Sequence, residues 1–232
     1  MGTLYVVGTP IGNLEDLTPR AARVLGEVDL VAAEDTRRTR RLLTHLGISK
    51  PLLSVHADAE RGRAARVIDA LRHGDVALCT DAGMPSISDP GAHLVDRVRD
   101  AGHGLAVIPG PSAVTAALAL SGFNADRFVF LGFLPRKASE MARAVGALAA
   151  ETRTAVAFES PYRLVKALDI IAEALPARRC AVARELTKVH EELRVGTASE
   201  LAAHYQQKAV KGEITLLVEG ARGRGTGAGA GA

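Results

Sequence analysis

Three loops rich in glycine and proline, at residues 8–14, 81–91 and 109–113, each follow a short apolar run and precede a stretch with helical spacing. A chain that repeats strand, loop and helix in this order folds as a parallel sheet with right-handed crossovers. Parallel strands have both faces covered, so they read as continuous apolar runs rather than as alternating ones. Leu4 to Val7, Val28 to Ala33, Leu52 to Val55, Val76 to Thr80 and Leu105 to Ile108 fit that description. One such loop is a weak signal. Three within half a chain predict a shared crevice at the carboxyl edge of the sheet, where open α/β folds bind ligands.

The longest of the loops reads Asp81-Ala82-Gly83-Met84-Pro85-Ser86-Ile87-Ser88-Asp89-Pro90-Gly91. Gly83 and Gly91 let backbone approach a ligand closely, and the two prolines stiffen the segment. Ser88 or Asp89 followed by Pro90 predicts a capped helix start with proline at the first helical position. Leu94, Val95, Val98 and Ala101 then recur at helical spacing, and Gly102 supplies the stop. Asp81 is the carboxylate of this loop. The first loop, Gly8 to Leu14, has neither the Gly-Lys-Ser/Thr of a phosphate-binding loop nor a Gly-x-Gly-x-x-Gly.

The densest charge follows the second strand, where Glu34-Asp35 precede Arg37, Arg38, Arg40 and Arg41. Two readings stand side by side. Acids ahead of a helix suit its dipole, which makes this a solvated helix start. The same residues also describe a catalytic carboxylate next to an anion clamp. Strand alternation sends Glu34 and Asp35 to opposite sides, with Asp35 the one expected to face the crevice.

Gly122 to Asp126 interrupts the pattern, so residues 1–121 are expected to form a parallel α/β domain and residues 122–219 a second α/β domain. Hairpin-length spacings between Cys180–Ala183, Leu193–Val195 and Ile214–Val218 predict a mixed sheet there. Residues 220–232, built from Gly, Ala and Arg with one Thr, are expected to be a disordered tail. With 47% hydrophobic and 24% charged residues the chain has the composition of a soluble globular protein. The net charge of +3 permits an anionic partner without demanding one. Cys79 and Cys180 both lie in apolar runs, as core thiols of a reducing compartment do. No metal-ligand cluster, charged leader or run long enough to span a membrane is visible, so a cytoplasmic protein is expected.

The motifs in order resemble one family. They are Gly8-Thr9-Pro10-Ile11-Gly12-Asn13-Leu14, Ala33-Glu34-Asp35-Thr36-Arg37, the Asp81–Gly91 loop, Pro109-Gly110-Pro111-Ser112-Ala113, Gly132-Phe133-Leu134-Pro135, Phe158-Glu159-Ser160, Ala183-Arg184-Glu185-Leu186-Thr187-Lys188 and Lys211-Gly212-Glu213. Together they resemble the tetrapyrrole methylases (class III methyltransferases). Within these they are similar to the group that 2′-O-methylates a cytidine in the decoding region of 16S ribosomal RNA. Met84 departs from the small residue commoner at its position. The resemblance implies two α/β domains with S-adenosylmethionine in the cleft between them, and a homodimer. It implies cofactor contacts at Pro10, at Thr80, Asp81, Ala82, Gly83 and Met84, at Ser112 and Ala113, and at Glu159 and Leu186.

Methyl transfer to a ribose hydroxyl needs alignment and a proton acceptor. Asp35 is the expected acceptor, with Glu34 and Glu185 as the other carboxylates in reach. Arg37, Arg38, Arg40, Arg41 and Lys188 are the expected RNA contacts. The alternative is a relative of the same fold that methylates carbon of a tetrapyrrole such as uroporphyrinogen or a precorrin. The Glu-Asp-Thr-Arg and Ala-Arg-Glu-Leu-Thr-Lys stretches argue for RNA instead.

Overall fold

The computed structural model describes residues 1–55, 60–207 and 209–221. His56 to Asp58 and most of the Gly/Ala/Arg tail lie outside these. The chain divides into two compact units, Met1–Ala113 and Val114–Ala232.

The first unit holds strands β1 (Thr3–Val7), β2 (Leu30–Ala33), β3 (Leu52–Ser54), β4 (Val76–Cys79) and β5 (Gly104–Ile108). They form one sheet in the order β3-β2-β4-β1-β5, with every pairing parallel. Helices α1 (Pro19–Glu27), α2 (Thr36–His45), α3 (Glu60–Ala70) and α4 (Ala92–Asp100) connect them. The Val76-Ala77-Leu78-Cys79 run explains why β4 is central. Val76 and Leu78 pack with Val67, Leu94 and Val98 of α3 and α4, while Ala77 and Cys79 pack with Val24, Leu25 and Leu42 of α1 and α2. The helices therefore cover opposite faces. β1 leads through α1 toward β2 on one side, and its neighbour β4 leads through α4 to β5 on the other. That divergence is a topological switch point, and it opens the crevice beyond the carboxyl ends of β1 and β4.

Local signals set the helix boundaries. Thr18 accepts a bond from Ala21 N–H at 3.1 Å with Pro19 behind it, which starts α1. Val28 does not begin β2, because its N–H still bonds Val24 O at 3.0 Å. The predicted start of α4 is corrected. The helix begins at Ala92 with Gly91 as cap, and neither Ser88 nor Asp89 occupies that place. Ser86 N–H closes a turn on the Pro90 carbonyl at 3.3 Å, which puts Pro90 before the helix instead of in its first turn. Leaving that turn takes Gly91 to φ 134°, where a Cβ would stand 2.9 Å from Ser86 Oγ.

The second unit contains α5 (Ala113–Ser121) beyond its first residue, then β6 (Phe128–Phe133), β7 (Thr154–Glu159), β8 (Arg179–Arg184), β9 (Glu192–Thr197) and β10 (Ile214–Val218). Its sheet runs β6-β7-β10-β8-β9, with β6 and β7 parallel and the remaining pairs antiparallel, the mixed arrangement the spacings predict. Helices α6 (Ala138–Ala147), α7 (Leu164–Ala174) and α8 (Ala198–Gln206) cover one face, with Met141, Leu168 and Leu201 in the core. The compact units meet at the start of α5. Phe123, just past Gly122, lies under the Arg179 guanidinium at 5.1 Å, within the second unit. Cys79 and Cys180 are free and buried, and burial pushes both thiols up to about 12. They are inert core residues at neutral pH.

Candidate active site

The three glycine–proline loops meet. Thr9 and Gly83 exchange backbone hydrogen bonds, Thr9 N–H to Gly83 O at 2.9 Å and Gly83 N–H to Thr9 O at 3.1 Å. Gly8 N–H bonds Ile108 O at 2.9 Å, which aligns the first loop with the third. A Cβ on Gly8 would lie 2.7 Å from Gly110 Cα and 2.6 Å from Met84 Sδ, so the loops touch only because Gly8 and Gly110 lack side chains. Gly8→Ala is expected to lower stability by about 1–3 kcal/mol, the range for a methyl forced into a packed site. A denaturant midpoint unchanged from that of the parent would show that these loops yield freely.

Strain marks the Asp81 loop. Ser86 and Ser88 adopt φ of 72° and 65°, left-handed values that residues with a Cβ rarely hold without help from their surroundings. Thr9 Oγ1 donates to Thr80 O at 3.2 Å, fixing the end of β4. Thr80 is itself buried, yet its Oγ1 finds no hydrogen-bond partner among the described residues. An orphaned buried hydroxyl beside a glycine loop leaves a donor for a water or a ligand to meet.

The charged cluster after β2 joins this loop through reciprocal bonds. Asp35 N–H donates to Asp81 Oδ1 at 3.1 Å, and Asp81 N–H donates to Glu34 Oε2 at 3.3 Å. Arg38 Nε stands 3.4 Å from Asp81 Oδ2. Both acids lie beyond the end of β2, where strand alternation no longer holds, and the one turned toward the Asp81 loop is Glu34. The Asp35 carboxylate caps α2 through Arg37 N–H at 2.8 Å and takes two further bonds from the Arg37 guanidinium. Those Arg37 bonds bring its pKa down to about 2. Glu34 is shifted the other way. Its half-buried position raises its pKa, helped by the Asp81 carboxylate and opposed by the Asp81 N–H. One carboxylate is thus a committed anion in a helix cap, and the other is tuned toward neutrality at the mouth of the crevice.

A pocket of about 160 Å³ lies between the first loop, α2 and the end of β4. Thr9, Pro10, Thr80 and Asp81 form one side of it, and Arg38, Thr39 and Arg41 the other. Arg37 and Arg40 are exposed and do not line it.

In the second unit Glu159 is buried with Oε1 bound by Ser160 N–H at 2.6 Å and by Arg163 at 2.5 Å. Its Oε2 has no hydrogen-bond partner among the described residues. Glu185 and Lys188, expected to serve catalysis and RNA, hold each other and the loop that precedes β10. Lys188 Nζ reaches Glu185 Oε1 at 2.8 Å and Glu213 Oε2 at 3.0 Å, and Glu213 N–H donates to Glu185 Oε1 at 2.9 Å. Burial acts to raise the Glu185 pKa, but the Lys188 ammonium and that N–H outweigh it and leave it lowered. Glu185 and Thr187 flank Leu186 at φ of 51° and 65°, and a Cβ on Gly212 would lie 2.3 Å from the Glu185 carboxylate. This is a locked turn that fixes the Leu186 backbone. The sequence pattern gave no sign of it, because Lys211 to Glu213 are distant in the chain.

Residues 3–202 match the sequence profile of the Tetrapyrrole (Corrin/Porphyrin) Methylases. The chain belongs to this family. Among its relatives is a Thermotoga maritima protein named Ribosomal RNA small subunit methyltransferase I, 47% identical, with the match covering 95% of this chain and 99% of that one. A Bacillus subtilis protein of the same name is 43% identical over 95% of this chain and 76% of its own. The Thermus thermophilus uroporphyrin-III-C-methyltransferase shares the fold, with a TM-score of 0.66 at 22% identity over 94% of each chain. Tetrapyrrole methylases therefore supply the architecture, two α/β units with the loops gathered at the carboxyl ends of β1, β4 and β5. Among the described residues no helix is long and apolar enough to cross a membrane.

Proposed function

We propose that the chain transfers a methyl group from S-adenosylmethionine to the ribose 2′-hydroxyl of a cytidine in the decoding region of 16S ribosomal RNA. The observation that carries this reading is the 47% identity, across essentially the full length of both chains, to a protein named for small-subunit ribosomal RNA methylation. The arginine-bearing α2, fastened to the Asp81 loop by Asp35 and Arg38, supports RNA over a tetrapyrrole acceptor. The protein is proposed to act in the cytoplasm as a homodimer.

The residues present fit the cofactor. Its sulfonium carries positive charge and an activated methyl group. Asp81 offers a carboxylate at the end of β4, in the loop that Gly83 ties to Thr9, and Thr80 is proposed to meet the cofactor through its backbone. Pro10, Ala82 and Met84, with Ser112 and Ala113, are proposed to supply further contacts from the three joined loops. Glu159 and Leu186 are proposed cofactor contacts too, the first through its unpartnered Oε2.

Glu34, rather than Asp35 or Glu185, is proposed to take the ribose proton. Asp35 and Glu185 each spend their carboxylates on fixed partners, whereas only one Glu34 oxygen meets the Asp81 N–H. A carboxylate raised toward neutrality by burial is a better proton acceptor than one held near 2. Incubating the protein with radiolabelled S-adenosylmethionine and small subunits lacking the modification is expected to label one cytidine at its 2′-oxygen. Label on a base, or transfer to a tetrapyrrole and none to RNA, would overturn the reading.

A further inference from the structure

We propose that the pocket between the first loop, α2 and Thr80–Asp81 is the seat of one phosphodiester of the RNA substrate, with Arg41 as its principal cation. The inference rests on the RNA-methylating reading above and adds where the backbone is gripped.

Charge bookkeeping around the pocket separates four arginines that look equivalent in sequence. Arg37 is engaged by Asp35, and Arg38 is partly neutralised by Asp81 at 3.4 Å. Arg40 and Arg41 have no ion pair among the described residues, but only Arg41 lines the pocket. Arg38 and Arg41 stand three residues apart, hence on one face of α2, and both line the pocket. The lining thus holds two guanidiniums against the single carboxylate of Asp81, an excess of one positive charge that Arg41 carries.

The other side of the pocket is built to donate. Thr80 is 3% exposed and lines the pocket, and its Oγ1 has no hydrogen-bond partner among the described residues. A buried hydroxyl loses much of its water on folding and gains from an acceptor brought by a ligand. Phosphodiester oxygens accept from a hydroxyl and a guanidinium at once, and a guanidinium presents its donors in a fork that suits them. Asp81 argues against a loose anion trap. Its carboxylate repels an unaccompanied anion, and the Arg38 guanidinium 3.4 Å away offsets that charge. Because Asp81 also belongs to the cofactor loop, a phosphate drawing on Arg38 would change the charge felt beside the cofactor. RNA seating and cofactor binding would then be linked through one ion pair.

Arg41→Gln and Arg40→Gln remove the same charge from the same helix, and only the first touches the pocket. Binding of both variants to unmodified small subunits is measured across a salt series, separately from methyl transfer. Arg41→Gln is expected to weaken binding about 5- to 10-fold and to reduce the salt slope by about one. Arg40→Gln is expected to change affinity less than 2-fold. Thr80→Val should weaken subunit binding as well, and Thr80→Ser should restore it. Calorimetry with S-adenosylmethionine is expected to give the same affinity for Arg41→Gln as for the parent.

Equal losses from Arg40→Gln and Arg41→Gln would make α2 a diffuse basic surface and overturn the pocket. Weakened S-adenosylmethionine binding by Arg41→Gln would assign the pocket to the cofactor's carboxylate and overturn it equally. A parent protein that binds subunits with this pattern yet transfers no methyl group to them would sink the activity reading and leave the pocket standing.

Discussion

Glu34→Gln is expected to slow methyl transfer by roughly 10²–10⁴, the range for loss of a general base, with S-adenosylmethionine affinity nearly unchanged. Glutamine keeps the oxygen that accepts the Asp81 N–H, so the link between β2 and the cofactor loop survives and only proton affinity is lost. Asp35→Asn is the comparison. Asparagine still caps a helix, and the Asp35 carboxylate is already committed to Arg37, so this variant should retain most of its turnover. The pH dependence carries the sign. Glu34 is pushed above its ordinary value, chiefly by burial, and a base works only when ionised. The parent's rate should therefore rise with pH through that raised pKa and level off above it. The Gln variant should lose this rising limb. A mirror-image result, with Asp35→Asn crippled and Glu34→Gln active, would return the role to Asp35.

Much of the fold around these loops is legible in the amino-acid sequence alone. Continuous apolar runs such as Val76 to Cys79 announced strands covered on both faces, and the three glycine–proline loops announced their own convergence. Gly8 against Gly110 is the physical reason, since two backbones this close exclude any Cβ. What the sequence concealed is of two kinds. The first is the point where a strand hands over to a helix. Strand alternation pointed to Asp35 as the acid facing the crevice, but β2 ends at Ala33, and Asp35 is already a helix cap whose side chain turns toward the new helix. The start of α4 failed for a related reason. Ser-Asp-Pro is a good cap motif, yet a turn closed by Ser86 and Pro90 outweighed it. The second kind is pairing across distance. Nothing near Glu185 or Lys188 reveals that Glu213 ties both of them into a turn. Asp81 likewise gives no local sign that it bonds Asp35, 46 residues away.

Asp81→Ala tests whether that long-range node holds the cofactor or merely braces α2. Asp81 accepts Asp35 N–H on one oxygen and faces Arg38 with the other, so its removal strands a donor at the start of α2 and frees a guanidinium. If Asp81 also stabilises the sulfonium, S-adenosylmethionine binding should weaken by about 1.5–3 kcal/mol, the range for a hydrogen bond to a charged group. That corresponds to roughly tenfold to 150-fold in affinity. Asp81→Asn separates the two roles, because it keeps an acceptor for Asp35 N–H and discards the charge. Comparable losses from Asn and Ala place the effect in the charge. Near-normal binding by Asn places it in the brace. RNA should respond in the opposite direction, since Arg38 without Asp81 leaves α2 one charge more positive. Subunit binding at low salt should hold or tighten while cofactor binding falls. Were both affinities to fall together in a folded variant, the node would be a structural support for α2 and the loop alike, and direct contact between Asp81 and the cofactor would have to be abandoned.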